Sequence, residues 1–188
     1  MSKYIFFLFS IILLIYLLLP GPTSVENFPP LPNSLKSTEP GDTTQNPNTS
    51  AYFSDYYREK VIPFYKNEFK NHFIYFGIKM PNLELNHPPQ YASEVIRPYQ
   101  QSYYLEEFVH PLRESLYING WEPYDEAGQP RFKYSHGIVV ENQAFNTKTT
   151  IKYYASPIWV RLVIWVGIAL SIVLIFKTSI KVIRGRNG

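Results

Sequence analysis

Glu106-Glu107-Phe108-Val109-His110 holds the densest group of metal-capable side chains in the chain: one Glu-x-x-His step, with Glu114 four residues beyond His110. Carboxylate-bridged di-iron bundles use two such steps plus two further Glu, all projecting into a bundle core. Only one step is present here, so Glu107, His110 and Glu114 are the candidate metal ligands of an incomplete set. The simpler reading is a solvated helical face with the i,i+4 pairs Glu106–His110 and His110–Glu114. No cofactor is expected on this basis.

The remaining titratable residues are scattered. His72, His87 and His136 stand apart in sequence, and His136 falls on the apolar phase of an alternating segment, which predicts a half-buried, hydrogen-bonded ring. Ser, His and Asp occur without a nucleophile-elbow context, and the spacings of a P-loop, a dinucleotide fingerprint or an EF-hand are missing. Asp125-Glu126-Ala127-Gly128 reads as a charged turn. The absence of Cys excludes disulfides, thiolate metal sites and cysteine nucleophiles.

Two apolar ends must position whatever lies between them. Ile158–Phe176 is nearly unbroken in its apolarity and long enough to cross hydrocarbon, with Lys177, Lys181, Arg184 and Arg186 behind it. Tyr4–Leu19 is apolar except for Ser10 and follows Lys3. The prolines that come next, Pro20 and Pro22, disfavour signal-peptidase cleavage, so residues 1–20 read as an uncleaved anchor, with a signal peptide as the alternative. Positive charge at both outer flanks predicts a two-pass plasma-membrane protein with both termini cytoplasmic and residues 21–157 extracytoplasmic. The fifteen acidic residues all lie between Glu26 and Glu141, so the basic pI of about 8.9 reflects the flanks and excludes a nucleic-acid surface.

Residues 21–50, rich in Pro, Ser, Thr and Asn, read as a linker. Residues 51–155 read as a small α+β domain, with helices first and an antiparallel β-hairpin afterwards. Ser54 is the expected N-cap of a first helix carrying Tyr57, Val61, Phe64, Tyr65 and Phe69, which Pro63 should bend or split. A short helix is expected over Pro89–Ile96, and a longer one over Tyr99–Ile118 with Leu105, Phe108, Val109, Leu112 and Leu116 on its apolar stripe. Two alternating runs, Phe132–Val140 and Thr147–Tyr153, are expected to pair as the hairpin.

Residues 156–178 form the C-terminal span and 179–188 a basic cytoplasmic tail in this reading. Tyr153, Tyr154 and Trp159 are the expected interfacial belt, and Arg161 either snorkels or meets an intramembrane partner. Lys177, Lys181 and Arg184 are the expected contacts to anionic lipid. The function expected is non-enzymatic: assembly or scaffolding of a membrane or surface complex, by self-association or with other membrane or surface proteins. The alternatives are a membrane-tethered binding or sensing module for a peptide or glycan, and a small membrane-tethered metal-dependent enzyme.

Overall fold

The computed structural model describes the backbone of residues 3–186 and the side chains of residues 4–182. In chain order the elements are α1 (Lys3–Leu18), β1 (Leu35–Lys36), β2 (Thr49–Ser54), α2 (Arg58–Asn71), β3 (Ile74–Tyr75), β4 (Ile78–Lys79), β5 (Leu83–His87), α3 (Ala92–Val95), β6 (Tyr104–His110), β7 (Glu114–Trp121), β8 (Ile138–Val140), β9 (Gln143–Phe145), β10 (Thr147–Ala155) and α4 (Ile158–Arg186). They sort into two units, Met1–Pro20 with Ser156–Gly188, and Gly21–Ala155.

The Gly21–Ala155 unit mixes helix with a six-stranded antiparallel sheet of order β1-β2-β10-β7-β6-β5. Strand alternation gives the sheet two faces. One carries Tyr52, Tyr104, Phe108, Leu116, Ile118, Ile151 and Tyr153, packed in a single core with Val61, Tyr65, Phe69 and Phe73. The i,i+4 spacing of Val61, Tyr65 and Phe69 aligns them on the buried side of α2. The opposite face is covered in part by the short helix around Ala92–Ile96, which packs on Leu105 and Tyr117. That helix lies where the sequence predicts it, and β10 keeps its predicted alternation, with Thr147, Thr149, Ile151 and Tyr153 buried.

Four local expectations are corrected. No helix spans Tyr99–Ile118; the segment is the β6–β7 hairpin, with Tyr104–His110 paired against Glu114–Gly120. Pro111 interrupts any helix, the flanking runs are aromatic and β-branched, and pairing with β5 and β10 outweighs the local periodicity. Gly120, in β7, lies under the Tyr104 ring, where any Cβ would overlap it. The run 132–140 does not pair with β10, which is flanked by β2 and β7; only its end, β8, is a strand, paired with β9. Tyr57, not Ser54, precedes α2, and α2 runs through an exposed Pro63 as one helix.

The fourth correction concerns residues 21–50, which are a folded strap and not a linker. Val25, Phe28 and Leu31 enter the main core, and Leu35–Lys36 pairs with β2. Three apolar residues at three-residue spacing suffice because the neighbouring prolines restrict the chain before it folds. The strap is then pinned by Asp42, fully buried, whose carboxylate lies 2.6 Å from Lys148 Nζ and 3.2 Å from Arg97 and accepts the Ser37 hydroxyl at 2.6 Å.

In the other unit, α1 and α4 pack antiparallel: the Trp165 indole donates to the Ser10 carbonyl at 2.9 Å, and Arg161 reaches the Leu17 carbonyl at 3.3 Å. Among the described residues one helix is long and apolar enough to cross a membrane, Ile158–Val182, 25 residues whose most apolar stretch has a mean hydropathy of 2.5. At 1.5 Å per residue it is about 37 Å long, against a hydrocarbon core of about 30 Å. The apolar stretch of α1, Tyr4–Leu18, is shorter, so a second span is not established by length.

Asp42→Ala should lower unfolding stability by about 3 kcal/mol, since Lys148 and Arg97 lose their buried counter-charge. Urea unfolding with limited proteolysis checks this: residues 21–50 should become the first segment cut, and an unchanged midpoint with a protected strap would contradict the pinning role.

Candidate functional site

Strand geometry separates the three candidate metal ligands. In a helix, Glu107 and His110 would share a face; in a strand, residues three apart point to opposite faces. Glu107 therefore lies on the α3 side of the sheet and His110 on the α2 side, while Glu114 faces His110 across the turn as its register partner. No group of three or more His, Cys, Asp or Glu able to hold a metal ion exists among the described residues.

His110, Arg113 and Glu114 form a sealed polar cluster. All three side chains are fully buried, with His110 Nδ1 3.2 Å and Arg113 Nε 3.1 Å from Glu114 Oε1. The His110 ring stacks on Phe69 at 4.8 Å and meets Phe73 edge-on at 4.1 Å. The Arg113 guanidinium sits 5.7 Å from the Phe73 ring centre and donates to the Tyr75 hydroxyl at 3.4 Å. Leu112, with φ +66, completes the turn that brings His110 and Glu114 together. Buried charges of this kind persist when paired and hydrogen-bonded, and this cluster holds the hairpin end closed.

Glu107 belongs to a second group, on the opposite face. His87 Nε2 lies 2.7 Å from Glu107 Oε2, and the His87 ring is flanked by Tyr91 at 5.5 Å and Tyr117 at 5.9 Å. Burial, then the adjacent Glu107 charge, pushes the Tyr117 phenol well above its usual range. A shallow cleft of about 470 Å³ borders His87, Pro88, Gln90, Tyr91 and Glu94. An imidazole oriented by a carboxylate is one part of a general base. The neighbouring Ser93 hydroxyl, however, donates to the Gln90 carbonyl at 2.9 Å, and His87 and Glu107 also tie β5 to β6 diagonally across the ladder. The sequence does not foreshadow this pair, because His87 and Glu107 are twenty residues apart and meet only through β5–β6 pairing.

A third carboxylate, Glu122, caps α2 from the end of β7: it accepts the Arg58 N–H at 2.6 Å and faces Arg131 at 3.5 Å. Burial raises its pKa, with the Arg58 hydrogen bond and the Arg131 charge opposing the shift. His136, expected half-buried, is exposed.

The expected membrane-contact residues separate likewise. Tyr153 is a core residue whose hydroxyl donates to the Pro22 carbonyl at 3.1 Å, so it is no belt residue. Tyr154 is exposed, with its hydroxyl on the Val95 carbonyl at 2.8 Å, and Trp159 is exposed on α4. Arg161 is buried: Nε donates to the Ser156 carbonyl at 2.8 Å and Nη1 to Leu17, in the last turn of α1. A guanidinium there complements the carbonyls a helix leaves open at its C-terminus, so it clasps the two helices within the chain. Lys177 and Lys181 are exposed, and the Arg184 side chain lies outside the described residues.

No family model, curated protein or solved structure matches the chain.

Two substitutions separate packing from chemistry at the β6–β7 turn. Glu114→Ala should cost about 3–5 kcal/mol by leaving a buried cation without its counter-charge. His110→Phe, which keeps an aromatic ring between Phe69 and Phe73, should cost less than about 1.5 kcal/mol. Urea unfolding of the full chain in detergent measures both, and a His110→Phe protein that fails to fold would contradict the packing role.

Proposed function

We propose that this protein is a non-enzymatic, membrane-anchored assembly module. In this reading α1 and α4 both cross the membrane, both termini are cytoplasmic, and the Gly21–Ala155 unit is presented outside. The α1–α4 pairing through Arg161 and Trp165 supports a hairpin anchor, because α1 is held to a helix of full spanning length. Exposed Lys177 and Lys181 at the far end of α4 suit anionic headgroups on the cytoplasmic side, with Arg184 continuing the series.

The observation that carries the assembly role is β5. It is the last strand of the sheet, pairs among the described residues only with β6, and exposes Leu83 and Leu85 on one face. Such an edge offers backbone N–H and C=O groups for strand addition together with apolar contacts for specificity. The opposite edge, β1, has two residues and offers far less. The ionisable groups support a structural role, since His110, Arg113, Glu114, Glu122 and Asp42 are each buried and engaged with protein partners.

Crosslinking in native membranes tests the reading. The intact chain should yield adducts with itself or with another membrane or surface protein, and Leu83→Lys/Leu85→Lys should reduce them at least tenfold while leaving urea stability within about 0.5 kcal/mol. Monomers alone in the unsubstituted protein, or adducts indifferent to the two lysines, would overturn it.

A further inference from the structure

The β3–β4 hairpin carries the most exposed apolar group of the Gly21–Ala155 unit. Ile74, Phe76 and Ile78 are 42%, 99% and 71% exposed. Its two turn residues, Phe76 and Gly77, have φ of +52 and +78, the conformation of a type I′ turn. That turn favours Asn or Gly at both central positions. Phenylalanine there accepts backbone strain and gains no packing within the protein.

The root of the hairpin is firmly placed. Phe73 is buried, the Met80 N–H donates to the Phe73 carbonyl at 2.9 Å, and the Tyr75 hydroxyl accepts from Arg113. The same place is where the chain enters and leaves the unit. A Cβ on Gly21 would lie 3.0 Å from the Phe73 ring and 3.5 Å from both Arg113 and Glu114, and Ala155 is the register partner of Glu114. Gly21 follows the end of α1 by three residues, and Ala155 precedes the start of α4 by three. Three residues reach at most about 10 Å. The root of the exposed apolar tip therefore lies beside both points at which the chain passes between this unit and the apolar helices.

We infer that Ile74–Ile78 dips into the lipid bilayer, with the Phe76 and Ile78 side chains at the boundary between headgroups and acyl chains on the extracytoplasmic side. The exposed Lys79 that follows suits the headgroup layer. The tip then gives the unit a contact with lipid in addition to its two covalent connections to the apolar helices. This inference rests on the membrane anchoring proposed above.

The chain has no Cys, so single cysteines carry an environment-sensitive fluorophore without background. Full-length protein bearing the label at position 76, 78, 99 or 170 is reconstituted into phosphatidylcholine vesicles containing nitroxide-bearing lipid. Leu170 is an exposed position on α4 and reports anchoring. Tyr99, 98% exposed, is the aqueous control: it lies two residues from Arg97, which shares Asp42 with Lys148 at the far end of β10 from Ala155. Emission at 76 and 78 should be blue-shifted and quenched by nitroxides near the headgroups, at 170 by nitroxides deep in the acyl chains, and at 99 by neither. Quenching at 170 with 76 and 78 behaving like 99 would overturn the inference and leave the anchoring intact. Absence of quenching at 170 would overturn the anchoring and the inference with it.

Discussion

The register between β7 and β10 is the constraint on which the rest depends. Eight consecutive pairs, from Lys148 with Trp121 to Ala155 with Glu114, fix which side chains of the two central strands face α2 and which face α3. A slip of one residue would send Ile151 and Tyr153 to the wrong face and bring Lys148 and Lys152 into the core. The same register sets Lys148 where it meets Asp42, and so pins the strap. At the other end it brings Ala155 to Glu114, which places the chain's exit beside the polar cluster and the Phe73 root of the β3–β4 hairpin.

The parts legible in the sequence are those whose cause is local. The uninterrupted apolarity of Ile158–Phe176, the stripe Val61–Tyr65–Phe69 and the alternation of β10 all state their structure in one window of residues. The parts that were not legible depend on distant partners. Tyr104–His110 and Glu114–Trp121 carry apolar residues at spacings that also fit a helix, and only pairing with β5 and β10 decides between the two. Pro111 was the signal available: a proline between two aromatic and β-branched runs fits a turn better than a kinked helix. The strap shows the complementary limit. Its composition resembles a linker, yet Val25, Phe28 and Leu31 fold it into the core and Asp42, a single carboxylate whose partners lie at positions 97 and 148, pins it.

The candidate site changed for the same reason. Helical geometry makes Glu107, His110 and Glu114 one ligand set; strand geometry divides them between a sealed cluster at the β6–β7 turn and a His87–Glu107 pair on the other face. In both places the ionisable groups answer one another across elements that the sequence separates widely. Such groups hold positions, and exposed apolar side chains stand at the β5 edge and at the Phe76 tip. Arg161 fits this pattern, since its charge is met by carbonyls of its own chain, in particular the last turn of α1.

The central claim, an exterior unit held by two spans, is tested most directly by labelling single cysteines in intact cells with a membrane-impermeant maleimide. Tyr134→Cys reports the unit and Thr178→Cys the far end of α4, both exposed positions in a chain without native Cys. The account predicts labelling at 134 in intact cells and at 178 only after permeabilisation. Labelling at 178 but not 134 in intact cells, or recovery of the chain in the soluble fraction, would contradict it.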